Sequence, residues 1–407
     1  MADNSTPLGF DTLCIHGGHT PENNRAHLTP IYASSTYTFD SAEQSIDIFK
    51  GDEKGYIYGR CGNPTIAEAE EKIALLEAYG INDASGSTLQ LKAILHGSGM
   101  GAISTMLHSN VSMGQKIISH FSLYGGTYEL VEKVFPGLGV EPVIMDFHDP
   151  NKVEDAIKAD KQISLMYIET PANPTLQCLD LEALSSLGKK YGITVCVDNT
   201  FATPYLQQPF KYDVDYVMHS TTKFLNGHGT AVGGVLLGKD IDKMNSSITK
   251  MHRLLGGNSN AFEAFLLTNG LRTFGLRMGR HCSNAEKVAG YLAQHSGVAE
   301  VNYLGLPNHP DIATARKQMK HAGAMLSFEL KGGFDAAVKF INHLKMCTNA
   351  ISLGTCDTLV SHPASTTHVG VSREHRLQFG ITDGLIRMSV GLENADDILN
   401  DLEQAIK

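Results

Sequence analysis

The chain has 407 residues, enough for two or more domains, and 42% of them are apolar, enough for a substantial core. Its formal net charge of −10 gives a nucleic-acid partner no electrostatic support. No apolar run reaches the length of a membrane span, the polar start from Met1 to Phe10 lacks the apolar core of a leader, and seven scattered cysteines without a CxxC pair fit reduced thiols and a cytoplasmic setting.

Residues 1–70 are polar and rich in Thr, Pro, Tyr and Gly, which predicts an irregular N-terminal arm. Tyr56-Ile-Tyr58-Gly-Arg60 lies within it. An arginine beside tyrosines suits a phosphate, with a simple turn as the alternative, and an arm so poor in core-forming residues is expected to reach a neighbouring subunit. Helical periodicity begins at Asn63-Pro64, with Pro64 near the helix start.

From about Lys92 to Gly238, strand-like apolar runs alternate with helical patterns, which predicts an α/β domain over 71–260 with a largely parallel sheet. The buried strands are Lys116-Ile-Ile-Ser, Pro142-Val-Ile-Met, the run 163–168, the run 193–197, Tyr216-Val-Met and Gly234-Val-Leu-Leu; helices are expected over 128–135, 152–158 and 179–191. Beyond about Ala261 the pattern is helical through 280–294. Strands at 324–330 and 385–390 and helices at 334–344 and 395–406 then predict a smaller α+β domain over 261–407.

Chemistry-bearing residues punctuate this order. Gly97-Ser98-Gly99-Met100-Gly101 opens a helix, where successive backbone N–H groups bind anions; a bare turn is the alternative. Tyr124, beside Gly125 and Gly126, offers a ring for stacking and a hydroxyl for proton transfer, or simply packs on the surface. Glu169-Thr-Pro-Ala-Asn173-Pro follows a buried strand; Pro171 and Pro174 fix the loop, and Asn173 offers hydrogen bonds. Asp198 ends another strand, where ligands of open α/β sheets bind, although an N-cap aspartate is the plainer alternative.

The most informative stretch runs from Asp215 to Gly229. A short strand leads to Ser220-Thr-Thr222-Lys223 and a glycine-rich turn. Ser220 and Thr222 suit a phosphate, and Lys223 beside it suits a Schiff base with an aldehyde. Those are the two attachments pyridoxal 5'-phosphate (PLP) requires. A carboxylate at Asp198 would then pair with the pyridine nitrogen. Arg387, inside the apolar run Leu-Ile-Arg-Met-Ser-Val, needs a partner: a substrate α-carboxylate, or an internal acid. The 18 histidines, among them His16, His19, His362 and His368, form no ligand set with cysteine or carboxylate, so no metal site is expected.

On these residues the chain resembles the Cys/Met-metabolism (trans-sulfuration) family of PLP enzymes. The resemblance runs from Pro30-Ile-Tyr, Tyr58-Gly-Arg60 and Asn63-Pro-Thr to Arg387-Met-Ser-Val-Gly-Leu-Glu393. It implies an aspartate-aminotransferase-like (fold type I) α/β architecture and a homotetramer built from two active dimers with shared sites. Lys223, Tyr124 and Asp198 are the catalytic residues it implies. For the cofactor it implies Ser98, Gly99, Met100, Tyr124, Asp198, Thr200, Ser220, Thr222 and Lys223, joined by Tyr58 and Arg60 of the adjacent subunit. Arg387, Asn173 and Ser352 would hold the substrate carboxylate.

The implied reaction is a PLP-dependent γ-elimination on a sulfur amino acid, of the methionine γ-lyase kind, giving a thiol, 2-oxobutyrate and ammonia. The alternatives are γ-replacement of the O-acetylhomoserine sulfhydrylase kind, cystathionine γ-lyase chemistry, or β-elimination; the joint presence of Lys223, Asp198, Tyr124 and Arg387 argues against a non-catalytic PLP-binding protein. Ser361 stands where cystathionine-cleaving members usually carry glutamate. Gly126 and His252-Arg253 stand where methionine γ-lyases commonly carry a cysteine and a Lys-Asp pair. Residues 81–92 read as a small insertion.

Overall fold

The computed structural model describes residues 8–19, 25–367, 369 and 373–407, so His368 and the first seven residues lie outside the described part. The apolar runs of the first half of the chain form one seven-stranded sheet: β1 Lys92–His96, β2 Lys116–His120, β3 Glu141–Met145, β4 Ile163–Glu169, β5 Thr194–Asp198, β6 Tyr216–His219 and β7 Gly234–Gly238. Their order is β1-β7-β6-β5-β4-β2-β3. Strands β3, β2, β4, β5 and β6 pair in parallel, and β7 runs antiparallel to both β6 and β1.

The strands are apolar without alternation because both faces are covered. Ile168, Val195, Val197, Val217 and Val235 enter one core, and Leu165, Tyr167, Cys196, Tyr216 and Met218 enter the other. Each fully buried Val, Leu or Ile of this kind stabilises the fold by about 1.5–3 kcal/mol. β1 escaped the sequence pattern because only Ala93, Ile94 and Leu95 separate Lys92 from His96.

The arm is not irregular throughout, which corrects the expectation from composition. It contains α1 Phe10–His16 and α2 Ala42–Lys50. The C-terminal turn of α1 is held by Lys72, whose buried ammonium donates to the carbonyls of Cys14 and Ile15 at 3.2 Å each. Helix α2 is capped by Ser41 and buries no residue; its apolar Ile46 and Phe49 stay exposed. Helix α3, Pro64–Glu77, starts as expected: Asn63 accepts from the N–H groups of Thr65 and Ile66, and Pro64 fills the first turn. After α4 Gly99–Asn110, the expected helix at 128–135 is instead α5 Gly125–Glu129, continued by a wide turn over Leu130–Val134 and a tight one over Phe135–Leu138.

A second sheet of order β10-β11-β12-β9-β8 forms from β8 Val298–Asn302, β9 Met325–Leu330, β10 Thr348–Asn349, β11 Leu359–Ser361 and β12 Leu385–Ser389. The two anticipated strands are β9 and β12, which pair antiparallel. Their neighbours β8, β10 and β11 were missed because they are short or half exposed. Helices Phe274–Leu292, Gly333–His343 and Ala395–Ile406 pack their apolar residues against this sheet.

Candidate active site

Because β4, β5 and β6 are adjacent and parallel, Glu169, Asp198 and the segment after His219 leave the sheet at one edge. That edge is the carboxyl end, where open α/β sheets bind their ligands. Asp198 accepts the Thr200 N–H at 2.9 Å and the Tyr167 hydroxyl at 3.4 Å. It still touches solvent at the strand end, yet the atoms packed around it desolvate the carboxyl and raise its pKa, with Thr200 opposing. Thr200 in turn accepts the Ser220 N–H at 2.9 Å, which ties the β5 and β6 loops together.

Ser98 caps α4, its Oγ accepting the Gly101 N–H at 3.0 Å. The N–H groups of Gly99 and Met100 lie in the first turn of that helix, where no intrahelical acceptor exists. A Cβ on Gly99 would stand 3.1 Å from the Cβ of Ser220, so this helix start and the β6 loop touch. Together they set free N–H groups beside a hydroxyl, a geometry suited to an anion. Thr222 lies next to it, its hydroxyl exchanging hydrogen bonds with the backbone of Gly233 at 3.0 and 3.2 Å.

Lys223 is mostly buried, and its Nζ donates to Ser352 Oγ at 3.1 Å. Burial, and then the nearby Arg387, bring its pKa down to about 8. Arg387 enters from β12. Its Nη1 donates to Asn173 Oδ1 at 3.3 Å, and its Nη2 donates to the carbonyls of Ile351 and Ser352 at 3.0 and 2.9 Å. Its Nε is buried without a hydrogen-bond partner. Among the described contacts no acid pairs with it, and desolvation lowers its pKa to about 10. Asn173 itself sits in a loop whose Thr170–Pro171 and Asn173–Pro174 bonds are both cis.

Tyr124 caps α5 with its ring half exposed, and its backbone N–H donates to Glu169 Oε2 at 2.7 Å. A Cβ on Gly126 would meet the Tyr124 ring at 2.8 Å, so only glycine leaves the ring where it lies. The structure therefore brings together Ser98, Gly99, Met100, Tyr124, Asn173, Asp198, Thr200, Ser220, Thr222, Lys223, Ser352 and Arg387. Tyr58 and Arg60 stand apart. Arg60 donates to the Arg253 carbonyl at 2.7 Å and lies over the Tyr58 ring at 5.8 Å, and among the described contacts neither is bonded to the other candidates.

Two residues went unread. Glu169 ends its strand beside Asp198, and the strand-end rule applied to Asp198 would have flagged it too. Arg277 is buried and donates to the carbonyls of Phe224, Leu225 and Gly270, bracing the chain just after Lys223; a basic residue inside a helix gave no such signal. His120, Asp146 and His148 place ligand-type atoms within 4.8 Å of one another. Hydrogen bonding accounts for them: His120 accepts from the Phe147 N–H and donates to Gln177, and His148 bridges Asp311 and Asp146, which raise its pKa to about 9.

The donor set fits PLP: a lysine of lowered pKa, an acid at a strand end and a helix start shaped for a phosphate. This is the architecture of a fold type I PLP enzyme. Residues 11–407 match the model of the Cys/Met metabolism PLP-dependent enzymes, and the chain belongs to that family. It is 44% identical to the L-methionine gamma-lyase of Fusobacterium nucleatum subsp. nucleatum, covering 98% of each chain. It is 34% identical to the O-acetyl-L-homoserine sulfhydrylase of Leptospira meyeri, covering 99% of this chain and 98% of the other. The crystal structure of cystathionine gamma-lyase from Lactobacillus plantarum complexed with L-serine superposes with a TM-score of 0.89 at 36% identity, covering 98% of each chain.

Proposed function

We propose that this protein is a PLP-dependent γ-lyase of a sulfur amino acid, with L-methionine as its substrate. One methionine and one water give methanethiol, 2-oxobutyrate and ammonia. The observation that carries this reading is the meeting at Ser352: its hydroxyl accepts from Lys223 and its carbonyl from Arg387. An amine able to work at Cα and a guanidinium able to hold the α-carboxylate thus stand one residue apart.

When bound, PLP supplies an electron sink for negative charge developing on the substrate carbon. Lys223 would hold it through Nζ, Asp198 would face its ring nitrogen, and Ser98, Gly99, Met100, Ser220 and Thr222 would surround its phosphate, with Thr200 fixing both loops. Tyr58 and Arg60 would complete that phosphate site from a neighbouring copy. Arg387 has its partnerless Nε to offer a carboxylate, with Asn173 and Ser352 holding the guanidinium in place. Once the substrate's amino group has displaced it from the cofactor, Nζ would be a free amine, and burial and Arg387, which bring its pKa down to about 8, would leave it able to take the proton from Cα and return it later. The Tyr124 hydroxyl, on its half-exposed ring, would protonate the leaving sulfur.

A homotetramer with shared sites, a cytoplasmic setting and division of the chain at residues 70 and 260 belong to the same proposal. All seven cysteines are free thiols, and the two sheets lie on opposite sides of residue 260 in sequence. Among the described residues no helix is long and apolar enough to cross a membrane. The sulfhydrylase relative supports a second reading, in which sulfide captures the same γ-position. A panel of methionine, cystathionine, homocysteine and O-acetylhomoserine, scored for 2-oxobutyrate with and without sulfide, separates them. Oxo-acid from methionine without sulfide is expected; homocysteine formed from O-acetylhomoserine only when sulfide is present would replace the first reading with the second.

A further inference from the structure

Glu169 and Asp198 are register partners on β4 and β5, strands about 4.8 Å apart. Their side chains leave the same face, the one that carries Tyr167 and Cys196. Glu169 is 5% exposed. Its Oε2 accepts the Tyr124 N–H, and its Oε1 is buried without a hydrogen-bond partner. Among the described residues no lysine or arginine forms an ion pair with either carboxyl. The groups around Glu169 are Asp198, the Tyr167 phenol, the Tyr124 N–H and Thr127. His219, whose Nε2 is bound to the buried Glu77, acts on Asp198 from β6, and Arg387 lies near the Tyr124 phenol.

Two carboxyls on the same face of adjacent strands, one of them buried, disfavour each other's ionisation. Asp198 has the better claim to the charge: it accepts two hydrogen bonds and touches solvent. Glu169 is buried, with the Tyr124 N–H on one oxygen and the Thr127 hydroxyl as its other polar neighbour. A hydroxyl at Oε1 is also far cheaper to leave unpaired than one end of a carboxylate.

We propose that Glu169 is a positioning residue that works as a neutral carboxylic acid, hooking Tyr124 over the site by its backbone N–H and leaving Asp198 as the single negative charge at this edge of the sheet. The consequence for the cofactor rests on the reading that Asp198 faces the ring nitrogen: one carboxylate then meets one protonated nitrogen, with no second charge beside it. Burial, followed by Asp198, pushes Glu169 well above the ordinary carboxylate range, against the pull of the Tyr124 N–H.

The test compares the full-length holoenzyme with Glu169→Gln and Glu169→Ala. Glutamine is neutral and keeps an acceptor for the Tyr124 N–H; alanine keeps neither. Glu169→Gln is expected to hold PLP within about threefold of wild type, and Glu169→Ala to weaken it about tenfold or more. A second readout is the urea midpoint against pH. A carboxyl whose folded pKa is raised stabilises the fold fully below its unfolded pKa and loses that contribution as pH rises towards the folded value. The midpoint of Glu169→Gln relative to wild type is therefore expected to move in favour of glutamine as pH rises above about 5. A difference that does not change with pH, a Glu169→Gln protein that fails to fold, or one that loses PLP as fully as Glu169→Ala would each overturn the proposal. The cofactor reading fails separately if Asp198→Asn leaves PLP affinity and the visible spectrum unchanged.

Discussion

Arg387 of β12 and Asn173 of the loop after β4 are hydrogen-bonded at 3.3 Å, so the small sheet and the large one meet where the substrate carboxylate would bind. Replacing Arg387 with lysine keeps the charge but loses the fork and its bonds to Ile351 and Ser352. Each charge-assisted bond lost costs about 1.5–3 kcal/mol. Steady-state kinetics are expected to show kcat/KM lowered about 10²-fold, most of it in KM. An unchanged KM would remove Arg387 from substrate binding.

Lys223 is mostly buried, and among the described residues its Nζ hydrogen-bonds to Ser352 alone. Lys223→Ala deletes a desolvated amine and leaves a small void, so the far-UV circular dichroism spectrum is expected to be retained. Turnover is expected to fall by about 10⁴-fold or more, since proton transfer at Cα loses its base as the cofactor loses its anchor. Turnover within tenfold of wild type would contradict the assignment.

Gly227 sits at φ +71° with Arg277 packed against it; a Cβ there would lie 1.7 Å from Arg277 Nη1. Arg277 in turn holds the carbonyls of Phe224 and Leu225. Gly227→Ala is expected to destabilise the protein by about 2 kcal/mol or more, from the left-handed backbone and the displaced guanidinium together. Urea unfolding measures this, and a shift near zero would mean that the turn can move aside freely.

His148 bridges Asp146 and Asp311, and its pKa is raised to about 9. A histidine raised in the folded state stabilises the fold fully below its unfolded pKa of about 6.5, and that stability is lost as pH rises through the folded value. The gap in thermal midpoint between wild type and His148→Gln should therefore be widest below about pH 6.5 and close by about pH 9.5. A gap that holds constant across that range would show that His148 does not carry the bridge as a cation.

The large sheet was legible, β1 apart, because both its faces are covered, which makes its other strands continuous apolar runs. The small sheet was legible only at β9 and β12, the strands buried along their length. Helices α1 and α2 were hidden because α1 is held by a distant lysine and α2 buries nothing. In the site, Asp198 ends an apolar strand, Lys223 follows another after a hydroxyl cluster, and Arg387 is a charge inside a third, so each raises a question that chemistry answers. Ser352 sits in an ordinary-looking loop and came only from family resemblance. Glu169 acts through its neighbour across the ladder, and a linear sequence does not display that adjacency.

Reduction of the holoenzyme with borohydride, followed by peptide mass spectrometry, tests the central assignment most directly. The pyridoxyl adduct is expected on the peptide that contains Lys223, with loss of the visible colour. An adduct on a different lysine, or none on a protein that keeps its colour and turnover, would contradict it.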